Sequence, residues 1–194
     1  MAPKSAKPKS AKAEKAAAKA DANVPGLEPD AGQEPKPTGK DISPELKVGD
    51  KAPDFEVSDE AGQKHSLERY RGKTVVLYFY PRDSTPGCTT ESCDFRDHHA
   101  HFLKKGAVVL GVSADSAKSH QNFKTKQKLP FPLLADEDKD LIRSYGVWKE
   151  KLMYGKRMHG IERSTFVIGP DGRVKEIYRK VSVDGHVAAV LGAV

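Results

Sequence analysis

Thr74-Val-Val-Leu-Tyr-Phe-Tyr80, followed at once by Pro81-Arg-Asp-Ser-Thr-Pro-Gly-Cys-Thr-Thr-Glu-Ser-Cys93, is the segment around which the chain organises itself. The first seven residues are an unbroken apolar run of β-branched and aromatic side chains, the composition of a strand buried on both faces. Such a strand needs a layer above it and another below. Gly87 to about Lys105 reads as a helix, and Ala107-Val-Val-Leu-Gly-Val112 as a second buried strand. Ser116 to Lys128 is a polar helix with Phe123 on its inner face, Phe131-Pro-Leu-Leu-Ala135 a short strand, and Lys139 to Tyr145 a short helix. Ser164-Thr-Phe-Val-Ile168 and Arg173-Val-Lys-Glu-Ile-Tyr178 flank Gly169-Pro-Asp-Gly172, which has strong turn chemistry. Upstream, Asp54-Phe-Glu-Val-Ser58 alternates apolar and polar side chains before the turn residues Asp59-Glu-Ala-Gly62, the pattern of a hairpin arm. His186 to Val194 ends the chain as a short helix. Strands alternating with helices, then a closing hairpin, predict an α/β layered fold with a mixed sheet.

Composition divides the chain in two. Of its 194 residues, 37% are hydrophobic and 31% charged, and the formal net charge is +6. The opening MAPKSAKPKSAKAEKAAAKA holds six lysines against the single Glu14 and so carries most of that charge. Residues 1–42 are rich in Lys, Ala and Pro, lack aromatic side chains, and read as a disordered tail whose ordering nothing would offset. Its lysines suit a plain solubilising tail or weak, salt-sensitive contact with nucleic acid through counterion release. Residues 43–194 form the folded domain, whose 25 Lys and Arg against 21 Asp and Glu give a modest +4 with no sign of a basic domain built to grip phosphates. No apolar run reaches the roughly 18 residues a membrane span needs, and no secretory signal pattern opens the chain. Two cysteines are too few for a secreted disulfide scaffold, which points to a reducing compartment where a cysteine pair is catalytic or metal-binding. The expected location is the cytoplasm, with the basic tail compatible with a nuclear or nucleoid address.

Cys88 falls in the first turn of the helix that follows the first buried strand, beyond the strand's carboxyl end, where open α/β sheets place their sites. The first turn has backbone N–H groups without intrahelical partners, and the macrodipole favours negative charge there by ~0.3–2 kcal/mol. A fixed cation would strengthen this, and Arg163 in Gly160-Ile-Glu-Arg163, at the mouth of a later strand, is the candidate. Thr85 offers a hydroxyl that both donates and accepts. Cys93 lies five residues after Cys88, about 500° of rotation and ~7.5 Å of rise along an intact helix. A disulfide needs Cα atoms about 4.4–6.8 Å apart, so this pair joins only if part of the helix unwinds.

Pro81-x-x-x-Thr85-x-x-Cys88 resembles the peroxiredoxin active-site signature. Thr85-Pro-Gly-Cys88-Thr with a second cysteine at Cys93 is similar to the bacterioferritin-comigratory/PrxQ subfamily. The likeness runs from about Lys47 to Val190 through Ser113-Ala-Asp-Ser116, Lys128-Leu-Pro-Phe-Pro-Leu-Leu-Ala-Asp136, Tyr145-Gly-Val-Trp148 and Arg163-Ser-Thr-Phe-Val-Ile168. It implies a thioredoxin-like fold, with a central mixed sheet flanked by helices and an N-terminal β-hairpin extension. It also implies a thiol-dependent peroxidase acting on hydrogen peroxide and organic hydroperoxides, with no metal or other cofactor. By the resemblance Cys88 is the peroxidatic cysteine and Cys93 the resolving one. Pro81 shields the thiolate, Thr85 and Arg163 hold the peroxide oxygens, Glu91 orients the arginine, and Gly87 supports the loop. A thioredoxin or similar dithiol then reopens the disulfide, and the expected state is a monomer. The short final helix and the lysine-rich tail depart from the family's pattern.

Other readings attach to the same residues. Cys88 and Cys93 with His98, His99 and His101 hold the ingredients of a zinc site, although the usual spacer between the Cys and His pairs is missing. Thr85 in that position also suits a plain helix cap, and Arg163 a surface ion pair. Tyr145 and Trp148 read as packing residues and Asp171-Gly172 as a turn. A binding module using the basic tail or the Cys/His cluster is the competing class.

Overall fold

The computed structural model describes residues 45–153 and 156–194. The tail expected over residues 1–42 lies outside them, as does the start of the domain. Strands β1 (Glu56–Ser58) and β2 (Lys64–Ser66) pair antiparallel, which is the anticipated hairpin arm. Strands β3 (Thr74–Phe79), β4 (Ala107–Ser113), β5 (Leu133–Ala135), β8 (Ser164–Ile168) and β9 (Val174–Arg179) form one sheet in the order β5-β4-β3-β8-β9. Pairs β3–β4 and β4–β5 are parallel, whereas β3–β8 and β8–β9 are antiparallel, so the sheet is mixed. Helices α1 (Pro86–Lys104), α2 (Ala117–Gln127), α3 (Asp140–Ser144) and α4 (His186–Ala193) complete the thioredoxin-like α/β layering.

The apolar run of β3 is buried on both faces because its alternate side chains serve two cores. Val75, Leu77 and Phe79 pack with Leu110, Val112, Phe166, Ile168 and, from α3, Leu141 and Ile142. Val76, Tyr78 and Tyr80 pack with Phe95 and Phe102 of α1, Phe123 of α2, and Val187 and Val190 of α4. Period-two alternation makes one strand the shared wall of both layers. Gly111 on β4 lies opposite Tyr78, and a Cβ there would stand 2.8 Å from the tyrosine's ring carbon and hydroxyl. The glycine is space reserved for Tyr78.

One element was not anticipated. Strands β6 (Trp148–Met153) and β7 (Lys156–Ile161) form a separate antiparallel hairpin. Its charged sequence lacks the β-branched enrichment by which buried strands are read, since the hairpin stands outside the main sheet. Trp148 opens it, stacked on His159. Tyr145 is fully buried, packs against Phe79 and Phe166, and donates its hydroxyl to Pro53 O at 2.9 Å. No helix among the described residues is long and apolar enough to cross a membrane.

Candidate active site

Residues 81–85 join β3 to α1, and a buried polar clasp holds this loop in place. Asp83 donates its N–H to Asp115 Oδ2 at 2.8 Å, and its carboxylate accepts from Tyr80 Oη at 2.8 Å and Ser119 Oγ at 2.7 Å. His120 Nδ1 lies 2.9 Å from the same carboxylate. Burial alone would raise the Asp83 pKa, but the hydrogen bond and charge of His120, with Ser119 and Tyr80, hold it below the usual carboxylate value. The clasp sustains Ser84 at φ +58°, a left-handed conformation that costs about 1–3 kcal/mol for a residue with a side chain.

Thr85 occupies the N-cap of α1 in an extended conformation, with Pro86 in the first turn. Its side chain does not cap: Oγ1 donates to Arg82 O at 3.0 Å. The first intrahelical bond is Thr89 N to Thr85 O, and Pro86 has no N–H. The amides of Gly87 and Cys88 are therefore the helix-terminal donors left without intrahelical partners. Reading Thr85 as a plain capping residue thus fails in detail, because its hydroxyl serves the loop and leaves the first turn uncapped.

The Cys88 side chain is 1% exposed. Arg163 precedes β8, and the antiparallel register sets Ser164 beside Phe79, so Arg163 arrives where β3 ends and the loop begins. Arg163 Nη2 donates to Cys88 Sγ at 3.2 Å, and Nη1 pairs with Glu91 Oε2 one helical turn farther along. Gly87 leaves room for this approach, since a Cβ there would lie 3.3 Å from Arg163 Nη2. Arg163 is 16% exposed, which sets it apart from a surface ion pair.

Glu91 has no exposed surface, and its Oε1 has no hydrogen-bond partner. Burial pushes its pKa up to about 7, against the opposing charge and hydrogen bond of Arg163. For Arg163, burial favours the neutral form, but Glu91 and Cys88 together leave its pKa above the ordinary value. His186, at the start of α4, places Nε2 2.8 Å from Thr165 Oγ1 and packs edge-on against Phe95 and Tyr178. Burial, helped by the charge of Arg163, lowers its pKa to about 4. Pro81 is exposed and lines an open groove with Arg163, Lys149, Glu162, Lys180 and Val181.

Cys93 lies on the same unbroken helix as Cys88, and both thiols are free. Its sulfur stands apart from the Arg163 cluster, 3.5 Å from Arg96 Nη1 and 3.6 Å from Gln127 Oε1. His98, His99 and His101 lie farther along α1. Among the described residues no group of three or more His, Cys, Asp and Glu side chains could hold a metal ion.

The structure thus gathers Cys88, Arg163, Glu91, Gly87 and Thr85 at one helix end, with Pro81 at its rim. Sequence reading missed the Asp83 clasp, His186, Arg96 and Gln127. His120 was within reach: it lies three residues before Phe123, on the inward face of a helix recognised as amphipathic.

The AhpC/TSA family model matches residues 48–177. The chain is 51% identical over 146 residues to "Peroxiredoxin Bcp" of Bacillus subtilis, covering 75% of this chain and 93% of that one. It is 50% identical over 147 residues to "Putative peroxiredoxin bcp" of Coxiella burnetii, covering 76% and 97%. Among solved structures, the bacterioferritin comigratory protein of Xanthomonas campestris superposes with a TM-score of 0.71 at 49% identity, over 76% of this chain and 94% of that one. With the buried sulfur, its arginine and the thioredoxin-like sheet in agreement, the chain belongs to the AhpC/TSA family and, within it, to the bacterioferritin-comigratory/PrxQ peroxiredoxins, which are thiol-dependent peroxidases.

Proposed function

We propose that Cys88 is the sulfur that attacks the peroxide and Cys93 the one that resolves it, both within one chain. The observation that carries this reading is the Arg163 guanidinium 3.2 Å from a buried Cys88 sulfur at an uncapped helix N-terminus. The thiolate is the reactive form of a cysteine. Here a guanidinium donates to the buried sulfur, which sits in a first helical turn where the helix dipole favours negative charge.

The Cys88 thiolate attacks one oxygen of R–O–O–H in line with the O–O bond. That bond breaks, the departing oxygen takes up from solvent a proton equivalent to the one the Cys88 thiol released on ionising and leaves as ROH, and the sulfur becomes the sulfenic acid Cys88–SOH. Arg163 and the Cys88 amide stabilise the negative charge as it moves to the departing oxygen. Thr85 Oγ1 already donates its proton to Arg82 O, so it presents lone pairs to the peroxide and accepts from its O–H. Pro81 forms the apolar wall at the mouth of the site, and Glu91 orients Arg163 from below. The first turns of α1 then unwind, Cys93 attacks Cys88–SOH, and an S–S bond forms with loss of one water. A thioredoxin-type dithiol exchanges with this disulfide, returning both thiols and leaving as a disulfide itself.

Hydrogen peroxide and organic hydroperoxides are both substrates on this reading. The open groove beside Pro81 and Val181 leaves room for an alkyl group, and the Xanthomonas campestris relative was studied for alkyl peroxide reduction. The enzyme works as a monomer, the state its subfamily likeness implies. It resides in the cytoplasm, the reducing compartment that a chain with only two cysteines suits. The tail of residues 1–42 adds weak, salt-sensitive contact with nucleic acid and takes no part in turnover. Mass spectrometry after one equivalent of peroxide tests the core of this reading. A Cys88–Cys93 disulfide supports it, and oxidation that spares Cys88 would overturn it.

A further inference from the structure

The contacts of Cys93 are those of a sulfur held in a clip. Arg96 Nη1 lies 3.5 Å from the sulfur and donates to Gln127 O at 2.8 Å, while Gln127 Oε1 accepts from the Cys93 thiol at 3.6 Å. Gln127 is the last residue of α2, and its carbonyl is among those a helix end leaves without an intrahelical partner. A guanidinium is favoured there by the macrodipole as well as by the hydrogen bond. Arg96 Nε is fixed in turn by Asp97 Oδ1 at 2.8 Å.

The position of this clip along α1 gives it a consequence. From Phe95 onward the helix is anchored, since Phe95 and Phe102 are fully buried in the core. Residues 86–93 are held mainly by polar contacts: Cys88 and Glu91 to Arg163, and Ser92 Oγ to Tyr78 Oη at 3.1 Å. Arg96 stands just past the anchor and reaches back one turn to Cys93, while its bond to Gln127 O crosses to a different helix. It therefore ties the segment that must move to the part of the molecule that stays.

We propose that Arg96, with Gln127, is a positioning pair that delays release of Cys93 and so sets the partition of Cys88–SOH between two fates. In one, Cys93 displaces water and the disulfide forms. In the other, the sulfenic acid of the still-folded helix attacks a second hydroperoxide, whose O–O bond breaks to give Cys88–SO₂H and ROH. Slower release lengthens the exposure of the sulfenic acid and favours the second fate. The proposal rests on the resolving role assigned to Cys93.

The test is a single-turnover experiment on the full chain with hydrogen peroxide, quenched by acid and read by mass spectrometry, for the unsubstituted protein and for Arg96→Ala, Arg96→Lys and Gln127→Ala. Breaking contacts of this strength on the folded side of a barrier should speed disulfide formation about 3- to 10-fold in Arg96→Ala. Gln127→Ala, which keeps the backbone carbonyl, should give about 2-fold, and Arg96→Lys an intermediate value. The rate of first thiol oxidation should not change, and the sulfinic fraction at fixed excess peroxide should fall as resolution quickens. Amide exchange should accelerate over residues 86–93 and stay unchanged over 97–104, whereas a merely structural role would loosen both segments together. Unchanged or slower resolution in Arg96→Ala, with the disulfide still formed by the unsubstituted protein, overturns the clip and leaves the role of Cys93 standing. Absence of that disulfide in the unsubstituted protein overturns both.

Discussion

The two halves of α1 differ in what holds them, although the helix is continuous from Pro86 to Lys104. The second half rests on Phe95 and Phe102, each worth about 1.5–3 kcal/mol by burial. The first half buries Cys88, Glu91 and Ser92, whose hydrogen bonds are worth about 0.5–1.5 kcal/mol each, somewhat more where charged. Apolar packing is lost all at once when a core residue withdraws, whereas polar contacts are exchanged for water one at a time. Such a division is what the proposed mechanism requires, a helix whose first turns can fray without dissolving the domain. On the proposed mechanism, the same division lets Cys88 be buried and held before reaction and released to meet Cys93 afterwards.

The largest expected effect falls on the reactive half. Cys88→Ser should reduce peroxide turnover to background with the fold intact, while Cys93→Ser should still oxidise Cys88 once but form no intramolecular disulfide. A coupled reductant assay with thiol counting separates the two. A Cys93→Ser protein that cycles normally with thioredoxin would mean that the helix need not fray at all. On the anchored half, Phe95→Ala should cost about 3–5 kcal/mol of stability, measured by urea unfolding. A loss near 1 kcal/mol would erase the contrast between the halves.

Arg163 belongs to neither half but charges the first. Arg163→Gln keeps much of the volume and removes the cation, so the first oxidation step should slow by about 10²–10³-fold, the range for deleting one charge-stabilising donor. Stopped-flow oxidation at low peroxide reads that rate directly. An effect below 10-fold would leave the helix end as the main source of stabilisation.

The smallest effect concerns pH, and the two groups involved oppose one another. The Glu91 pKa is raised from 4.5 to about 7, so the folded state binds its proton more tightly than the unfolded state. This contribution to stability is complete below about 4.5 and is lost as pH rises towards 7. The His186 pKa is lowered from 6.5 to about 4, so the unfolded state takes up the proton first. Its contribution is complete above about 6.5 and is lost as pH falls towards 4. Between about 4.5 and 6.5 the two slopes cancel in part. Relative to the unsubstituted protein, Glu91→Gln should gain stability with rising pH across that window, and His186→Asn should lose it. Urea titrations at a series of pH values would show the divergence, and parallel curves would refute the assignment of either group.

The strand Thr74–Phe79, the helix after it and the closing pair around Gly169-Pro-Asp-Gly172 were legible because periodicity, turn residues and helix starts act over a few neighbours. The same locality placed Cys88 in a first helical turn and put Cys93 out of its reach. The β6–β7 hairpin escaped because its charged residues do not carry the signal of a buried strand. Arg163 stands 75 residues from Cys88, and its place at the mouth of a later strand made it a candidate to which the family likeness then gave a role. What brings its guanidinium to the sulfur is the antiparallel pairing of β8 with β3, which sets Ser164 beside Phe79. The Asp83–His120 clasp and the seat of Cys93 against Gln127 have the same origin. Each joins residues that only the packing of helices on the sheet makes neighbours, and the energy of such contacts depends on distances that no local pattern encodes.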